Sequence, residues 1–229
     1  MKRAAAMIVA LALAACHHNE QLADAAAEGN AAAQYEYGRR LLGGEKGLTA
    51  NPHQAALWLT AASLRGHAKA QSLLGWCYAV GRGVEKSPAE SRKWYEASAR
   101  QGSAVACLEL AKSSLREHRE PDAAHWLQPL AEAGFPGPQN ILGKLCLAKK
   151  GGSIPQAKAQ RYLRFAAMNG DAEACLLMSY CYAAGIGVPR NTTLMNSWLR
   201  LAAQQGNPTA AGIIAPSGGR GAELKNPKS

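Results

Sequence analysis

The chain has 229 residues, 48% of them hydrophobic, and a formal net charge of +10. No run of its basic residues is dense enough to define a membrane-binding patch. The unbroken apolar stretch at residues 4–14 is too short to span a bilayer as a helix.

That stretch has the form of an export signal. Lys2 and Arg3 supply a positive n-region, the apolar segment follows, and it ends in Leu13-Ala14-Ala15-Cys16. Small residues directly before a cysteine resemble a bacterial lipobox. The resemblance implies cleavage before Cys16 and a lipid on Cys16; the other reading is an ordinary cleaved signal with a chance cysteine. His17 stands where lipoproteins kept at the inner membrane typically carry Asp. The resemblance therefore implies an outer-membrane lipoprotein of the bacterial cell envelope, facing the periplasm. His17 and His18 read as polar spacer on a flexible tether. Without Lys2 and Arg3 the charge is +8, and export excludes nucleic acid as the partner. An acidic protein or the anionic envelope surface fits that charge, as does plain solubility.

From residue 29 the chain is periodic. Gly29, Gly66, Gly102, Gly134, Gly170 and Gly206 are separated by 37, 36, 32, 36 and 36 residues. Such self-similarity marks a solenoid, and solenoids generally bind rather than catalyse. With each glycine as position zero, +2 reads Ala31, Ala68, Ala104, Pro136 and Ala172. Position +4 reads Ala33, Ala70, Ala106, Pro138 and Ala174, and +8 reads Tyr37, Leu74, Leu110, Leu142 and Met178. Position +9 is small: Gly38, Gly75, Ala111, Gly143 and Ser179. These offsets hold one face of a helix, helix A, with a close neighbour at +9. A glycine turn follows, clearest at Gly81-Arg82-Gly83-Val84 and Gly185-Ile186-Gly187-Val188. Helix B comes next, with Pro88, Pro121 and Pro155 near its start. It carries Trp58, Trp94, Trp126, Tyr162 and Trp198, then Leu59, Tyr95, Leu127, Leu163 and Leu199 one residue on. The aromatic column is expected to be the large buried mass of each layer.

This unit, with its small helix A positions, Leu-Gly, Tyr, Gly-x-Gly-Val, Trp and closing Gly, resembles the Sel-one-like repeat, a relative of the tetratricopeptide repeat. The resemblance covers residues 29–206. It implies an all-α fold, a right-handed α-solenoid superhelix of about five antiparallel helix-turn-helix repeats. The expected layout is a signal peptide at 1–15, a lipid tether and capping helix at 16–28, the solenoid at 29–214 and a disordered tail at 215–229. The third unit lacks the Gly-x-Gly-Val turn and four residues. The fourth opens Phe135-Pro136-Gly137-Pro138, which is expected to delay or distort helix A and bend the superhelix near 115–140.

Apart from Cys16, five cysteines remain: Cys77, Cys107, Cys146, Cys175 and Cys181. Cysteine-rich relatives bridge a residue late in helix B to +5 of the next helix A. Cys107 and Cys175 stand at +5, but Ala99 and Ala167 occupy the partner positions, so that bridge cannot form. Cys146 with Cys181 is one alternative pair; buried free thiols are the other expectation.

Analogy with tetratricopeptide arrays puts helix A on a concave, partner-binding face, at columns +3, +6, +10, +13 and +14. The groove candidates are Tyr35, Arg39, Trp76, Leu108, Lys112, Lys144 and Tyr180, aromatics and cations suited to an acidic segment. The same positions also read as ordinary solvent-facing residues. No catalytic set is found: Gly-x-Ser-x-Gly is absent, and His118 and His125 lie in a polar loop without two-helix metal spacing. No metal, cofactor or catalytic residue is expected. The leading expectation is a non-enzymatic scaffold or adaptor that binds another protein. The resemblance also implies two alternatives. One is an immunity lipoprotein neutralising a type VI secreted antibacterial effector such as a phospholipase. The other is a β-lactam-binding or hydrolysing enzyme of the cysteine-rich type.

Overall fold

The computed structural model describes residues 17–155 and 158–214. The expected signal peptide, the lipidation site Cys16 and the tail from residue 215 lie outside the described residues. Within these the chain is helix and turn only, in two compact units that divide between Leu110 and Ala111. The first unit holds α1 (17–27), α2 (Ala31–Gly43), α3 (Pro52–Leu64), α4 (Ala68–Val80) and α5 (Pro88–Ala99). Helix α6 (Ala104–Arg116) crosses the division. The second unit continues with α7 (Glu120–Glu132), α8 (Pro136–Leu147), α9 (Ala159–Met168), α10 (Ala172–Ala184), α11 (Thr192–Gln204) and α12 (Pro208–Ile214). Consecutive helices pack on one another: α2 on α3, α3 on α4 and α4 on α5, then α7 on α8 through to α11 on α12. The fold class is the expected all-α array of helix-turn-helix repeats.

Local chemistry sets the helix ends. All six marker glycines have positive φ, from 82° to 94°, and each ends a B helix just before the next A helix. The residue after the glycine caps helix A: the side chains of Asn30, His67 and Asp171 accept amides of the first turn. Asn51, Ser87 and Asn191 do the same for α3, α5 and α11. The cap at His67 uses Nδ1, which accepts from the Ala70 amide at 3.2 Å and so must be unprotonated. Burial first, then the Lys69 ammonium, hold His67 below the ordinary value of 6.5. A depressed histidine pKa means that the unfolded chain binds the extra proton. The cap is therefore complete above about 6.5 and is lost as pH falls through the lower folded value. His67→Asn keeps a capping oxygen but gives up the ring contact with Tyr35; it is expected to lie somewhat below the wild type at pH 8 and to flatten the decline between pH 7 and 5. Urea melts across that range check it; an unchanged slope would refute the assignment.

Two expectations about packing are corrected. In the aromatic column of helix B, only Tyr162 is buried; Trp58, Trp94, Trp126 and Trp198 are half-buried. The interior seat belongs to the next residue, Leu59, Tyr95, Leu127, Leu163 and Leu199. Adjacent helical residues point about 100° apart, and the small +9 column faces the second of them. A Cβ at Gly143 would lie 2.6 Å from Leu163 Cγ, and one at Gly75 would lie 3.0 Å from the Tyr95 ring. The tryptophans instead roof the seam; Trp58 meets Tyr37 edge-on at 5.8 Å. Secondly, α8 is not delayed. It starts at Pro136, in register with Ala31, Ala68, Ala104 and Ala172. Pro136 and Pro138 fall in the first turn, where a missing amide costs nothing. Phe135 offers no capping side chain there, and Pro138 has no amide for one to accept. On helix B, Pro88 does stand in the first turn of α5, but α9 begins only at Ala159, after Pro155.

Column +5, which periodicity did not single out, fastens four of the five A helices to the B helix before them. Gln34, Gln71 and Gln139 are buried. Their Nε2 atoms donate to the carbonyls of Ala26, Ser63 and Ala131 at 3.0, 3.1 and 3.0 Å. In the same way Cys175 Sγ lies 3.8 Å from the Ala167 carbonyl. Hydrogen bonds thus occupy the place where the resemblance puts disulfides. All five cysteines are buried and free. The Cys146–Cys181 pair does not form: Cys181 sits in the core cluster with Leu163, Met178 and Leu199, while Cys146 faces the turn at Gly151. Ala167→Cys is expected to bridge to Cys175 across eight residues and to stabilise the second unit by about 2 kcal/mol. Thiol titration and thermal melts with and without reductant check it.

The capping helix expected at the front is present as α1 and takes in His17 and His18, which were read as a flexible spacer. Arg40, on α2, is buried, its side chain 4% exposed. Its Nε donates to Glu36 at 2.8 Å and its Nη1 to Asn19 Oδ1 at 2.9 Å, while Nη2 lies 3.2 Å from His18 Nε2. Asn19 in turn donates to the Lys46 carbonyl at 2.8 Å. His18, read from the sequence as polar spacer, and Asn19 thereby pin α1 onto α2.

Candidate partner-binding groove

Helices α2 and α4, with the start of α6, frame an open cavity of about 890 Å³ in the first unit. Tyr35, from column +6, and Arg39 and Trp76, from column +10, line it together with Lys69, Ser72, Leu73, Tyr95, Val105 and Glu109. Trp76 is 38% exposed and Val105 61%, large apolar groups left in contact with water. Tyr35 stacks on His67 with ring centroids 4.9 Å apart, a contact that orients the Tyr35 ring on the cavity wall. Burial raises the Tyr95 hydroxyl to about 12, so it stays protonated.

The other candidates fall elsewhere. Leu108 is half-buried and does not line the cavity; Lys112, Lys144 and Tyr180 belong to the second unit. Two of the expected cations already hold carboxylates. Arg39 donates to Glu36 at 3.0 Å and to Glu45 at 2.7 Å, and Lys144 pairs with Glu173 at 2.5 Å. The hydrogen bond from Arg39, then that from Arg40, lowers the Glu36 carboxyl to about 2. Residues missed by the sequence reading do have a partial signature. Lys69 and Val105 occupy column +3, and Leu73 and Glu109 lie one turn on at +7. Tyr95 comes from helix B and has no signal on helix A.

Among the described residues the cysteine thiols are poorly suited to act as nucleophiles. Burial raises Cys77, Cys175 and Cys181 to about 11 and moves Cys107 and Cys146 the same way. In the polar loop around His118, Arg119 takes Glu117 and Asp122, and Lys150 takes Glu120. The acids of this loop are thus ion-pair partners.

The comparisons agree with the repeat boundaries. Sel1 repeats match residues 31–67, 68–103, 139–171 and 172–207, leaving the shortened third unit unmatched. A protective antigen of uropathogenic Escherichia coli strains, with an SLR fold, superposes at a TM-score of 0.67 and 30% identity over 83% of this chain. This chain spans 42% of the length of that structure. A Sel1 repeat protein from Oxalobacter formigenes gives a TM-score of 0.59 at 30% identity, covering 80% of this chain and 74% of its own. An immunity protein from Pseudomonas aeruginosa is 24% identical over 80% of this chain and 69% of its own; at a TM-score of 0.39 that likeness bears no functional weight. No curated protein matches the sequence significantly. The matched repeats, which cover more than half of the residues, establish that the chain belongs to the Sel1 repeat family.

Proposed function

We propose that this protein is a non-enzymatic adaptor of the bacterial envelope, anchored by a lipid on Cys16 at the outer membrane and facing the periplasm. In this reading the first unit holds another protein in its groove. The observation that carries the binding role is the exposure of Trp76 and Val105 on an open cavity whose wall residues Tyr35 and Arg39 are held by stacking and ion pairs. Exposed aromatics in a preformed hollow are the usual anchors of protein interfaces. The anchor rests on Leu13-Ala14-Ala15-Cys16, and the scaffold role suits a Sel1 repeat protein.

The test is a quantitative pull-down from envelope extract with the chain from His17 onward, wild type against Trp76→Ala. The substitution removes a half-exposed ring and should leave the melting curve nearly in place. It is expected to weaken capture of a specific partner at least tenfold, an anchor-sized loss of about 2 kcal/mol. Equal recovery of the same partner by both proteins would remove the groove from consideration.

A further inference from the structure

The polar groups of the groove are not equivalent. Arg39 is held by Glu36 and Glu45, and Arg82 spends its Nη2 on the Leu42 carbonyl at 2.9 Å. Lys69 is different. It is exposed, and among the described residues it forms no hydrogen bond or ion pair. It stands four and seven residues before Leu73 and Trp76, on the same face of α4.

Beside it runs a line of hydroxyls whose direction can be fixed. Ser98, fully buried, reaches the Ala68 carbonyl at 2.7 Å and must donate there. Its oxygen therefore accepts from Ser72 at 2.7 Å. Ser72 in turn accepts from Ser103 at 3.0 Å. Ser103 also accepts the Ala106 amide at 3.4 Å as the cap of α6. Every hydrogen in the line points inward, so Ser72 and Ser103 offer the groove only lone pairs. A carboxylate is repelled there and an amide N–H is welcome. The place for a carboxylate is Lys69.

We propose that the groove takes a short acidic segment of a partner protein, in which a large apolar side chain and a carboxylate are close neighbours. The apolar group packs on Trp76, Leu73 and Val105, the carboxylate sits on Lys69, and a backbone amide of the segment donates to Ser72 or Ser103. This rests on the binding role of the groove and adds the chemistry of the partner, which also complements the net charge of +10.

Random displayed peptides selected on the chain from His17 onward test it, with Lys69→Glu and Trp76→Ala selected in parallel. The wild type should enrich a large apolar residue with Asp or Glu beside it. Lys69→Glu should keep the apolar preference and replace the acid by Lys or Arg. A synthetic peptide of the wild-type consensus should bind Lys69→Glu about tenfold more weakly. Its wild-type affinity should fall as ionic strength rises, and the affinity of Lys69→Ala should fall less. A consensus without an acid, or the same consensus from wild type and Lys69→Glu, overturns the assignment of the carboxylate while leaving the groove. No enrichment, or enrichment that Trp76→Ala leaves intact, overturns the groove itself. Thermal melts of each variant separate these outcomes from loss of fold.

Discussion

Gly83→Ala is expected to destabilise the first unit by on the order of 4 kcal/mol. Two costs coincide at this position. The residue has φ +77°, a conformation that an L side chain adopts at roughly 1–2 kcal/mol. Its Cβ would also be driven into the carbonyl oxygen of Pro52, with the Pro52 carbon and the His53 nitrogen directly behind. That obstacle is the first turn of α3, so no rotamer change relieves it, and overpacking of this kind costs about 1–3 kcal/mol more. Gly66 supplies the comparison. It has φ +82° with nothing near the added methyl, so Gly66→Ala should cost only the backbone share. Denaturant melts of both variants decide the point. Equal losses would mean that the approach of the turn to α3 yields freely.

Arg40→Ala is expected to cost about 3 kcal/mol, the size found when one partner of a buried charged network is removed. The loss should be local in origin. Glu36 keeps Arg39 and 30% side-chain exposure, so it is not stranded. Asn19 and His18 lose their partner on α2. Amide exchange in α1 should therefore accelerate far more than in α4 or α5. Acid behaviour gives a second readout. Glu36, lowered to about 2 from 4.5, contributes stability that is whole above 4.5 and drains as pH falls towards 2. Arg40→Ala removes the smaller of its two hydrogen-bonding causes, so the acid limb should become shallower without vanishing. Uniform exchange across the first unit would show that Arg40 supports the core generally rather than the cap.

The marker glycines and the +4, +8 and +9 columns were legible in the sequence because their causes are local. A positive φ needs glycine, and a 3.6-residue period needs small or apolar residues at fixed steps. The tryptophans misled because period alone does not say which of two adjacent residues, Trp58 or Leu59, meets the small column; that depends on how α2 lies on α3. Pro136 misled because a proline is harmful or harmless by a shift of a few residues relative to the helix start. In the groove, spacing brought Tyr35, Arg39 and Trp76 together. It offered the i,i+3 pair of Glu36 with Arg39 but not the second carboxylate, since Glu45 lies on the turn outside any column. The serine line needs Ser72, Ser98 and Ser103, from three elements, and the sequence holds no trace of it.

The clamp around Arg40 bears on how an anchored protein would search. Only two residues, His17 and His18, lie between Cys16 and Asn19, a reach of about 10 Å even when fully extended. With a lipid on Cys16, the first unit would have almost no leash. It would drift in the plane of the bilayer and turn with its lipid, with little freedom to tumble above it. The height and tilt at which the groove meets its partner would then be written into a few hydrogen bonds to one guanidinium. Lengthening the junction, not altering the groove, would be the way to change which proteins it can reach.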